Sequence, residues 1–537
     1  MRKRSAGSRS ATTALAAAAA VLAVPAAAAA TPACPTTTDA AEFPRKAQLR
    51  HWNQKLDEFG ARPTGSASHR GYVRWLDHRL DAVDGVDVRS LRYRFDRQLE
   101  RSSSLRVELA GKERKLKPAA PVPYSEPTSK RGASAPLVHL PSDTEITAAN
   151  AAGKIVVRDF VAGELQNSLF EFVSWSIFDP EGTFTPEGVY KRDFLNSQPV
   201  ADMEAAGEAG AAGVLFVHEF PREVIRGHYR PYEGVHWEVP ALHLGVDEGK
   251  RVEQAIADGT AGSAAVAVRA KRTPRTRTRT LVGRLPGPGE RRVVVETHSD
   301  GMNAVWDNGH VPVLAIARYF AALPRKCRPG PMEFVFTTAH LYQRLDGKAH
   351  GAGDELYARK MDSAYDRGKV ALILALEHVG AREWEAVPRG GGLPGLTIRK
   401  SGLSEPSTTF VTESELLVGT LEDIVRERNI GRSLLLKGTA LADDSHVPPY
   451  CSFGGEGTPY MRHLLPTVGF VTSPWPLFNP GYGMELIDVE LLRRQSLMFN
   501  DFLLRLRGAS QDAIAGEYMR YRAERAAGKP TCFDIAE

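Results

Sequence analysis

The chain has 537 residues, of which 42% are hydrophobic, and a formal net charge of +5 at pH 7. This composition can build ordinary cores for two to four domains, and so small a net charge gives no reason to expect nucleic acid or another polyanion as partner. Four of the positive charges lie within the first nine residues, and removal of residues 1–30 would leave a formal charge of +1.

The N-terminus is organised like an export signal. Arg2, Lys3 and Arg4 precede an alanine-rich apolar stretch that ends in small residues at Ala30. This stretch is too short and too rich in alanine to span a bilayer stably, and no later apolar run reaches about 18 residues. Residues 1–30 are therefore predicted to be a signal peptide, and the mature protein to be secreted without stable membrane insertion. A lipid anchor on Cys34 is the weaker alternative, because no large aliphatic residue directly precedes it.

The four cysteines allow two disulfides in an exported protein. They are Cys34, Cys327, Cys451 and Cys532. Three connectivities are possible, and the sequence does not choose among them. No pair has the spacing of a zinc ribbon, so a structural zinc held by thiolates is not expected.

The first two regions of the mature chain differ in their patterns of apolar residues. Residues 40–130 begin with helical patterns, one of which places Val73, Leu76 and Leu80 on a single face. Between about residues 131 and 272, short apolar strands alternate with glycine-rich and alanine-rich helical stretches. The strands are PLVHL, KIVVRDF, GVLFVHEF, VPALHL and AAVAV. This region is predicted to be a compact, separate, β-rich domain.

The segment KRTPRTRTRT then alternates arginine with threonine. Arg275, Arg277 and Arg279 could form an anion-binding stripe, or they could be the solvated face of a strand. The second interpretation is favoured, because runs of charge usually lie on solvated faces.

The remainder of the chain alternates apolar strands with amphipathic helices. The segments are RRVVVETHSD, VPVLAIARYFAAL, MEFVFTT, KVALILALEHVG, SELLVGTLEDIVRER, TVGFVTS and DVELLRRQSLMFNDFLLRL. Buried strands that alternate with helices predict a three-layer α/β fold.

Residues that can bind a metal follow several of these strands. His298 and Asp300 come at the end of VVVETHSD, Asp307 lies nine residues beyond His298, ALILAL leads into Glu377, and a later loop carries His446. Ligands of open α/β sheets lie at the carboxyl ends of the strands, and imidazole together with carboxylate suits zinc. A single histidine is more often a surface or hydrogen-bonded residue, but the repeated placement favours a metal site.

These motifs resemble those of the secreted co-catalytic dizinc aminopeptidases, peptidase family twenty-eight. TLVGRLPGPGERRVVVETHSDG resembles the strand that ends in His-x-Asp, and WDNG, LALEHVG, DSHVPP and IDVELLRRQSLMFNDFLLRL resemble later segments of that family. Residues 131–272 resemble an inserted protease-associated domain. The resemblance implies a zinc-exopeptidase fold divided into 40–130, the insert 131–272 and 273–510, with a C-terminal tail at 511–537.

The resemblance also implies roles for individual residues. Asp307 would bridge two metals, His298 and Glu377 would complete one site, and His446 would belong to the other. Asp300 would orient His298. Glu377 stands where the family more often has the shorter aspartate.

One motif departs from the family. Where two consecutive glutamates supply the general base and a metal ligand, this chain has His340 and Leu341. Leucine has no lone pair, so one tight zinc site is expected and the second is doubtful. His340 could be the base, because imidazole titrates near neutral pH, or it could be a replacement ligand. The sequence thus predicts a zinc aminopeptidase acting on peptides. The alternatives are a catalytically impaired relative that binds peptides and a hydrolase of another amide.

Overall fold

A computed structural model describes residues 33–231, 236–342, 345, 352–440, 448 and 450–532. The predicted signal peptide, residues 1–30, and His446 lie outside these residues. The described strands are β1 (Asp87–Leu109), β2 (Lys112–Leu116), β3 (Ala120–Pro121), β4 (Ala133–His139), β5 (Ile155–Phe160), β6 (Gly163–Gln166), β7 (Ser174–Phe178), β8 (Val189–Arg192), β9 (Gly213–His218), β10 (Ala241–Leu244), β11 (Ala261–Leu285), β12 (Arg292–His298), β13 (Met332–Thr337), β14 (Val370–Leu376), β15 (Arg382–Pro388), β16 (Leu396–Ser404), β17 (Ser407–Val411), β18 (Ser433–Lys437) and β19 (Thr467–Val471).

The described α-helices are α1 (Lys46–Glu58), α2 (Ala67–Asp81), α3 (Ala148–Ala151), α4 (Asn167–Val173), α5 (Gln198–Glu208), α6 (Arg222–Ile225), α7 (Val246–Ala257), α8 (His310–Ala322), α9 (Gly353–Asp366), α10 (Glu415–Glu427), α11 (Thr458–Arg462), α12 (Val489–Arg505), α13 (Gln511–Ala515) and α14 (Tyr518–Ala526). Short 3-10 helices occupy Asp193–Leu195, Arg325–Cys327, Gly455–Gly457, Trp475–Phe478 and Met484–Leu486.

Most described strands belong to one mixed sheet. Its order is β3-β10-β9-β5-β4-β11-β13-β12-β14-β19-β17-β18-β7, and β1 pairs with β11 and β2. The strands β13, β12, β14 and β19 are mutually parallel, and β12, β13 and β14 are apolar and almost entirely buried, as expected for parallel strands covered on both faces.

Helices cover both faces of this parallel part of the sheet. One face packs with α1, α2, α8, α10 and α12 in a large apolar core, and α9 and α11 lie over a smaller core on the other face. The helix α8 is buried along nearly its whole length between the sheet and α12. The prediction of a three-layer α/β fold is confirmed.

The strands β10, β9, β5 and β4 form a second parallel set at the other end of the sheet. Two apolar clusters of its own pack on its two faces, one against α7 and the other against α5. Residues of β1 and β2, Leu105, Val107 and Leu116, belong to the first of these clusters. From Pro35 onward the chain nevertheless forms one compact unit, so the division at residues 131 and 272 stays a prediction.

The long strands β1 and β11 connect the two parts. They pair antiparallel from Asp87 opposite Arg284 to Leu109 opposite Ala261, with irregularities between Phe95 and Arg97 and again near Glu100. The arginine–threonine alternation lies in β11. Arg275 and Arg277 are exposed while Thr276, Thr278 and Thr280 are buried, as predicted for a solvated strand face. Arg279 differs, because it is half-buried and donates to Asp77 at 2.6 Å.

A segment within residues 131–272 also completes the other end of the sheet, beyond the central parallel strands. The strand β7 pairs antiparallel with β18 at the edge. Beyond it, the Arg192 guanidinium donates to both carboxylate oxygens of Glu405 at 2.8 and 2.9 Å, and both side chains are buried. The two parts therefore share an edge strand and a buried ion pair.

Residues 511–532, predicted as part of a C-terminal tail, contain α13 and α14 and pack on the fold. Tyr518 and Tyr521 are buried, and Cys451 and Cys532 form a disulfide. Cys34 and Cys327 each take part in a disulfide as well. Among the described residues no helix is both long and apolar enough to cross a membrane.

Candidate metal centre

Histidines and carboxylates gather at the carboxyl ends of the central parallel strands. His298 is the last residue of β12, Glu377 directly follows β14, and His340 comes three residues after β13. The 3-10 helix after Gly454 brings Glu456 to the same edge. Groups of imidazole and carboxylate atoms here lie within 4.8 Å of one another, namely His298 with Glu377 and His378, and His298 with His340 and Glu456.

His298 is held in one orientation by the main chain. Its Nδ1 donates to the backbone carbonyl of Asp300 at 2.7 Å, and its Nε2, 3.4 Å from Glu377 Oε2, makes no hydrogen bond of good geometry. When the ring is neutral with its proton on Nδ1, the lone pair of Nε2 faces the cluster, as in a metal-binding histidine. Burial and His340 lower the pKa of His298, but Glu456 outweighs them and raises it well above its ordinary value, so protons and a metal ion compete for this nitrogen. The Asp300 carboxylate is 3.9 Å from Nδ1, too far for a hydrogen bond. It accepts hydrogen bonds from Thr64 and the Leu341 amide instead.

Glu377 is placed by a close backbone contact. Its Oε1 accepts from the Glu456 amide at 2.9 Å, and its Oε2 lies 3.2 Å from His378 Nε2. Gly455, with φ of +64°, passes so near that a Cβ there would lie 1.8 Å from Glu377 Oε1. Only glycine combines this approach with this backbone conformation. Burial raises the pKa of Glu377, but the neighbouring His378 and His298 outweigh burial and lower it to about 2.

His340 is paired with acidic groups. Its Nδ1 is 2.8 Å from Glu456 Oε1 and 3.8 Å from Asp354 Oδ2, and its ring lies 4.4 Å from that of His298. Burial opposes protonation, yet Glu456 and Asp354 raise the pKa of His340 well above its ordinary range.

The cluster has more negative charge than its buried side chains can balance. Burial and the nearby carboxylates of Glu456 and Asp354 raise the pKa of Glu296 well above its usual value. Both oxygens of Glu296 lack hydrogen bonds, as do Asp354 Oδ1 and the Nε2 atoms of His298 and His378. Buried polar atoms without partners are rare and need an explanation. The raised pKa values indicate that carboxyl groups of the cluster hold protons at positions where a bound cation would supply the missing positive charge.

Asp307 is engaged elsewhere. Arg62 donates to it through Nη2 at 2.5 Å and Nε at 3.1 Å, and both side chains are fully buried. The two carboxylate oxygens thus face a guanidinium, and among the residues that the structure describes, which exclude His446, Asp307 is in none of the groups arranged to hold an ion. The metal-bridging role of Asp307 remains a prediction.

Leu341, at the predicted ligand position, belongs to the apolar core. Its side chain is fully buried in the large cluster that also contains Val305 and Trp306. The side chain at this position therefore stabilises the core.

The chain has the fold of the zinc aminopeptidases. It is similar to BSAP, a zinc aminopeptidase from Bacillus subtilis, with 15% identity, a TM-score of 0.57, and coverage of 86% of this chain and 95% of that one. It is also similar to the aminopeptidase from Aneurinibacillus sp. strain AM-1 (14% identity, TM-score 0.55, 85% and 93% covered). A third is the Peptidase M28 precursor from Shewanella amazonensis (14% identity, TM-score 0.57, 87% and 97% covered). No protein-family profile and no curated protein matches the sequence.

A cavity of about 590 Å³ opens onto the cluster of this zinc-aminopeptidase-like fold. His340, Asp354, Glu377 and His378 line one side of it. The apolar remainder of the wall includes Phe170, Leu436, Phe410 and Phe453. This size and mixture of apolar wall and a few polar groups is typical of small-molecule and peptide sites.

The structure brings together His298, Glu377 and His340 from the sequence prediction, and it places Glu456, Asp354, Glu296 and His378 beside them. His378 directly follows Glu377, and its φ of +53° turns it toward the cluster. That conformation is unusual for a residue with a side chain and has no sequence signal. Glu456 lies in a glycine-rich loop far along the chain, and only the close packing of Gly455 on Glu377 reveals its place.

Proposed function

We propose that the chain is an exported metal-dependent aminopeptidase that hydrolyses N-terminal peptide bonds. The observation that supports this most is the buried His298–Glu377–His378 group, at the carboxyl ends of parallel strands and open to a cavity of suitable size. The fold of zinc aminopeptidases agrees with this function, although fold alone does not establish it.

The donor set fits zinc. Two imidazoles and one carboxylate are common ligands of a catalytic zinc, which keeps a further position open. The buried atoms without hydrogen bonds are those that such an ion would engage. When bound, zinc polarises a carbonyl group and acidifies water.

His340 is the proposed proton acceptor. It lines the cavity, and its contact with Glu456 orients the ring and makes it more basic. Only the neutral form of His340 can take a proton from the attacking water and return it to the leaving amine, so the raised pKa of His340 shifts this activity toward higher pH. Asp354, 3.8 Å from the same nitrogen, reinforces this effect.

Asp300 contributes through both its main chain and its side chain. The backbone carbonyl fixes the His298 tautomer. The carboxylate holds the start of the segment that carries His340, because it accepts a hydrogen bond from the Leu341 amide at 2.9 Å. Burial raises the pKa of Asp300, but the His298, His69 and His340 rings outweigh burial and lower it to about 2.

A single zinc ion per catalytic centre is proposed, because two of the three positions expected to form a second site are committed elsewhere. Asp307 faces Arg62, and Leu341 lies in the core. The same observation favours a second candidate function, in which catalysis is impaired and the cavity binds peptides without cleaving them.

The test combines zinc content with turnover of aminoacyl chromogenic substrates. We expect His298→Gln and Glu377→Gln each to lose the ion and more than about 100-fold of the activity, because loss of even an outer partner of a metal ligand typically costs about 10–100-fold. Glu385→Gln is the matched control, since Glu385 forms an exposed pair with Arg399, and this variant should retain both the zinc ion and the activity. Zinc binding without turnover of any substrate would contradict the peptidase and support the peptide-binding alternative.

Export is proposed from the N-terminal sequence and the disulfides. Disulfides persist in oxidising compartments, and Cys451–Cys532 joins two distant segments. N-terminal sequencing of protein from the culture medium should begin near residue 31, whereas a start at Met1 would contradict cleavage.

A further inference from the structure

Three histidines meet inside the part of the chain that carries no catalytic group. His218 ends β9, His243 lies in the neighbouring strand β10, and His228 follows α6. Each is about 2–3% exposed. One nitrogen from each lies within 4.8 Å of the other two.

The histidines occupy a position at which α/β sheets bind ligands. The strands β5, β9 and β10 are parallel, and His218 lies opposite Phe160 at the carboxyl ends of β9 and β5. The Phe160 ring stacks on His218 at 4.0 Å. Crevices beyond the carboxyl ends of parallel strands are the usual ligand sites of such sheets.

Hydrogen bonding within the protein does not account for all three rings. His218 Nε2 and His243 Nδ1 share one hydrogen bond of 2.9 Å. Neither nitrogen of His228 has a hydrogen bond of good geometry, although the ring is buried, and its contact with the Asn479 side chain is no more than a weak hydrogen bond. Leaving such groups without full hydrogen bonding is unfavourable, so a retained buried imidazole of this kind indicates a missing partner.

We propose that His218, His228 and His243 form a second zinc site, separate from the candidate catalytic centre. Three imidazoles with one further position match the coordination of zinc by histidine. A small cavity of about 30 Å³ adjoins His228 and His243 and has room for a water as fourth ligand. The Asp193 carboxylate, whose Oδ2 is 3.7 Å from His228 Nε2, is the other candidate for that position.

The electrostatic surroundings are compatible with a cation. Burial lowers the pKa of each of the three rings below its usual value, so they are neutral near pH 7 and their lone pairs can bind a metal. Arg230 lies nearby and opposes a second positive charge, but its Nη1 is 3.3 Å from Asp193 Oδ1, and Asp193 offsets it. Zinc–nitrogen bonds of about 2.0–2.1 Å require the His218 and His243 nitrogens to separate by only about 0.4 Å.

The ion would tie the insert to the wall of the catalytic cavity. The residue after His228, Tyr229, donates its amide to the carbonyl of Phe478 at 2.9 Å, and the rings of His228 and Phe478 are 5.8 Å apart. Leu477, next to Phe478, lines the cavity. Zinc at the three histidines is therefore a structural ion that fixes this contact.

Anomalous diffraction at the zinc edge tests the site in the unaltered protein. Crystals of the mature chain, supplied with two equivalents of zinc, should show one peak among His218, His228 and His243 and another at His298 and Glu377. Absence of the first peak overturns the proposal, whatever occurs at the second. A peak only at the first site would support this proposal and contradict the proposed function.

Stoichiometry in solution provides the second test. In a Glu377→Gln background, where the catalytic centre no longer holds its ion, one zinc should remain and should raise the melting temperature. Adding His228→Asn should reduce the count to none and abolish that rise. Adding His139→Asn instead of His228→Asn should change neither the zinc count nor the rise in melting temperature, because His139 belongs to a separate half-exposed group with Asp159. Loss of the ion with His139→Asn but not with His228→Asn overturns the proposal.

Discussion

The Arg62 guanidinium and the Asp307 carboxylate form a fully buried bidentate pair at the edge of the candidate centre. Arg62 also donates to the backbone carbonyls of Leu56 and Asn303, at 3.2 and 2.9 Å. The guanidinium therefore joins the segment after α1 to the loop before α8. Charge at this position is balanced within the protein, which is why Asp307 differs from the carboxylates around Glu296.

We predict that Arg62→Met lowers the free energy of unfolding by about 3–5 kcal/mol, because it leaves Asp307 buried without a counter-charge. Combining Arg62→Met with Asp307→Leu should recover part of that loss, since an apolar pair leaves no unpaired charge. Urea denaturation measures both effects. The control is Arg89→Met, which removes an exposed pair with Asp87 and should change stability by less than about 1 kcal/mol.

A different outcome would restore the metal-bridging role of Asp307. If Asp307→Asn releases a zinc ion while the free energy of unfolding stays near that of the unaltered chain, the carboxylate binds metal and the ion pair is secondary. The sequence could predict Asp307 as a buried carboxylate near His298. It could not predict Arg62 as its partner, because the two lie 245 positions apart and neither belongs to a periodic pattern.

At the scale of elements, periodicity predicted most of the fold. The runs VVVET, FVF and ALILAL are the buried strands β12, β13 and β14, and Val73, Leu76 and Leu80 lie on the buried face of α2. These elements follow from burial alone. The helices α13 and α14 were predicted only as part of a tail, because their apolar contacts come from Tyr518, Tyr521 and a disulfide and not from a long amphipathic stripe.

An ionic cluster joins α9, α11 and α14. His463, which directly follows α11, lies 3.0 Å from Glu355 and 3.3 Å from Asp362, both on α9. Arg522 and Arg525 of α14 contact the same Asp362 carboxylate at 2.8 and 3.2 Å. Burial lowers the pKa of His463, but Asp362 and Glu355 outweigh burial, and the net effect raises the pKa above its ordinary value.

This cluster predicts a pH-dependent contribution to stability. A raised pKa in the folded state means that the charged His463 stabilises the fold fully below the unfolded pKa of about 6.5, and that this contribution is lost as the pH rises through the folded pKa. His463→Gln should therefore cost about 1.5–3 kcal/mol at low pH, the usual range for hydrogen bonds to charged groups, and less at high pH. Urea unfolding from about pH 5.5 to 9 measures the difference. His51→Gln, at an exposed position, is the control, and a difference that grows with pH would refute the assignment.

At the scale of the whole molecule, β1 and β11 hold the two parts together. A change of sequence texture suggested boundaries at residues 131 and 272. In the fold, however, β11 runs without interruption from Ala261 to Leu285, and the second half of β1 packs in the same apolar cluster as β5, β9 and β10. A boundary inferred from a change in sequence pattern cannot reveal that one strand serves two cores, because a long strand has the same alternating pattern whichever core it covers.

The irregularities in this strand pair provide a better place to divide the chain. Leu99 lies opposite Lys271, close to the irregularities in β1 between Phe95 and Ser102. Excising residues 100–270 and joining Leu99 to Lys271 through Asn-Gly would close β1 and β11 as a two-residue hairpin. Excising residues 131–272 would instead leave Leu105 and Val107 without their core and the second half of β1 without a partner.

We predict that the first deletion folds and the second aggregates. The deletion of residues 100–270 still removes the edge strand β7 and Arg192, the partner of Glu405. A buried carboxylate without its partner costs about 3–5 kcal/mol, so this variant should also carry Glu405→Leu. Size-exclusion chromatography and cooperative urea unfolding distinguish the outcomes: the first deletion should elute as a defined species and unfold in one transition. If Glu405→Leu does not raise the urea unfolding midpoint of the 100–270 deletion variant, the Arg192–Glu405 pair is not what links the two parts. If the deletion of 131–272 is the more stable of the two, the division at the texture boundary is the correct one, because the second half of β1 then needs no partner from the insert.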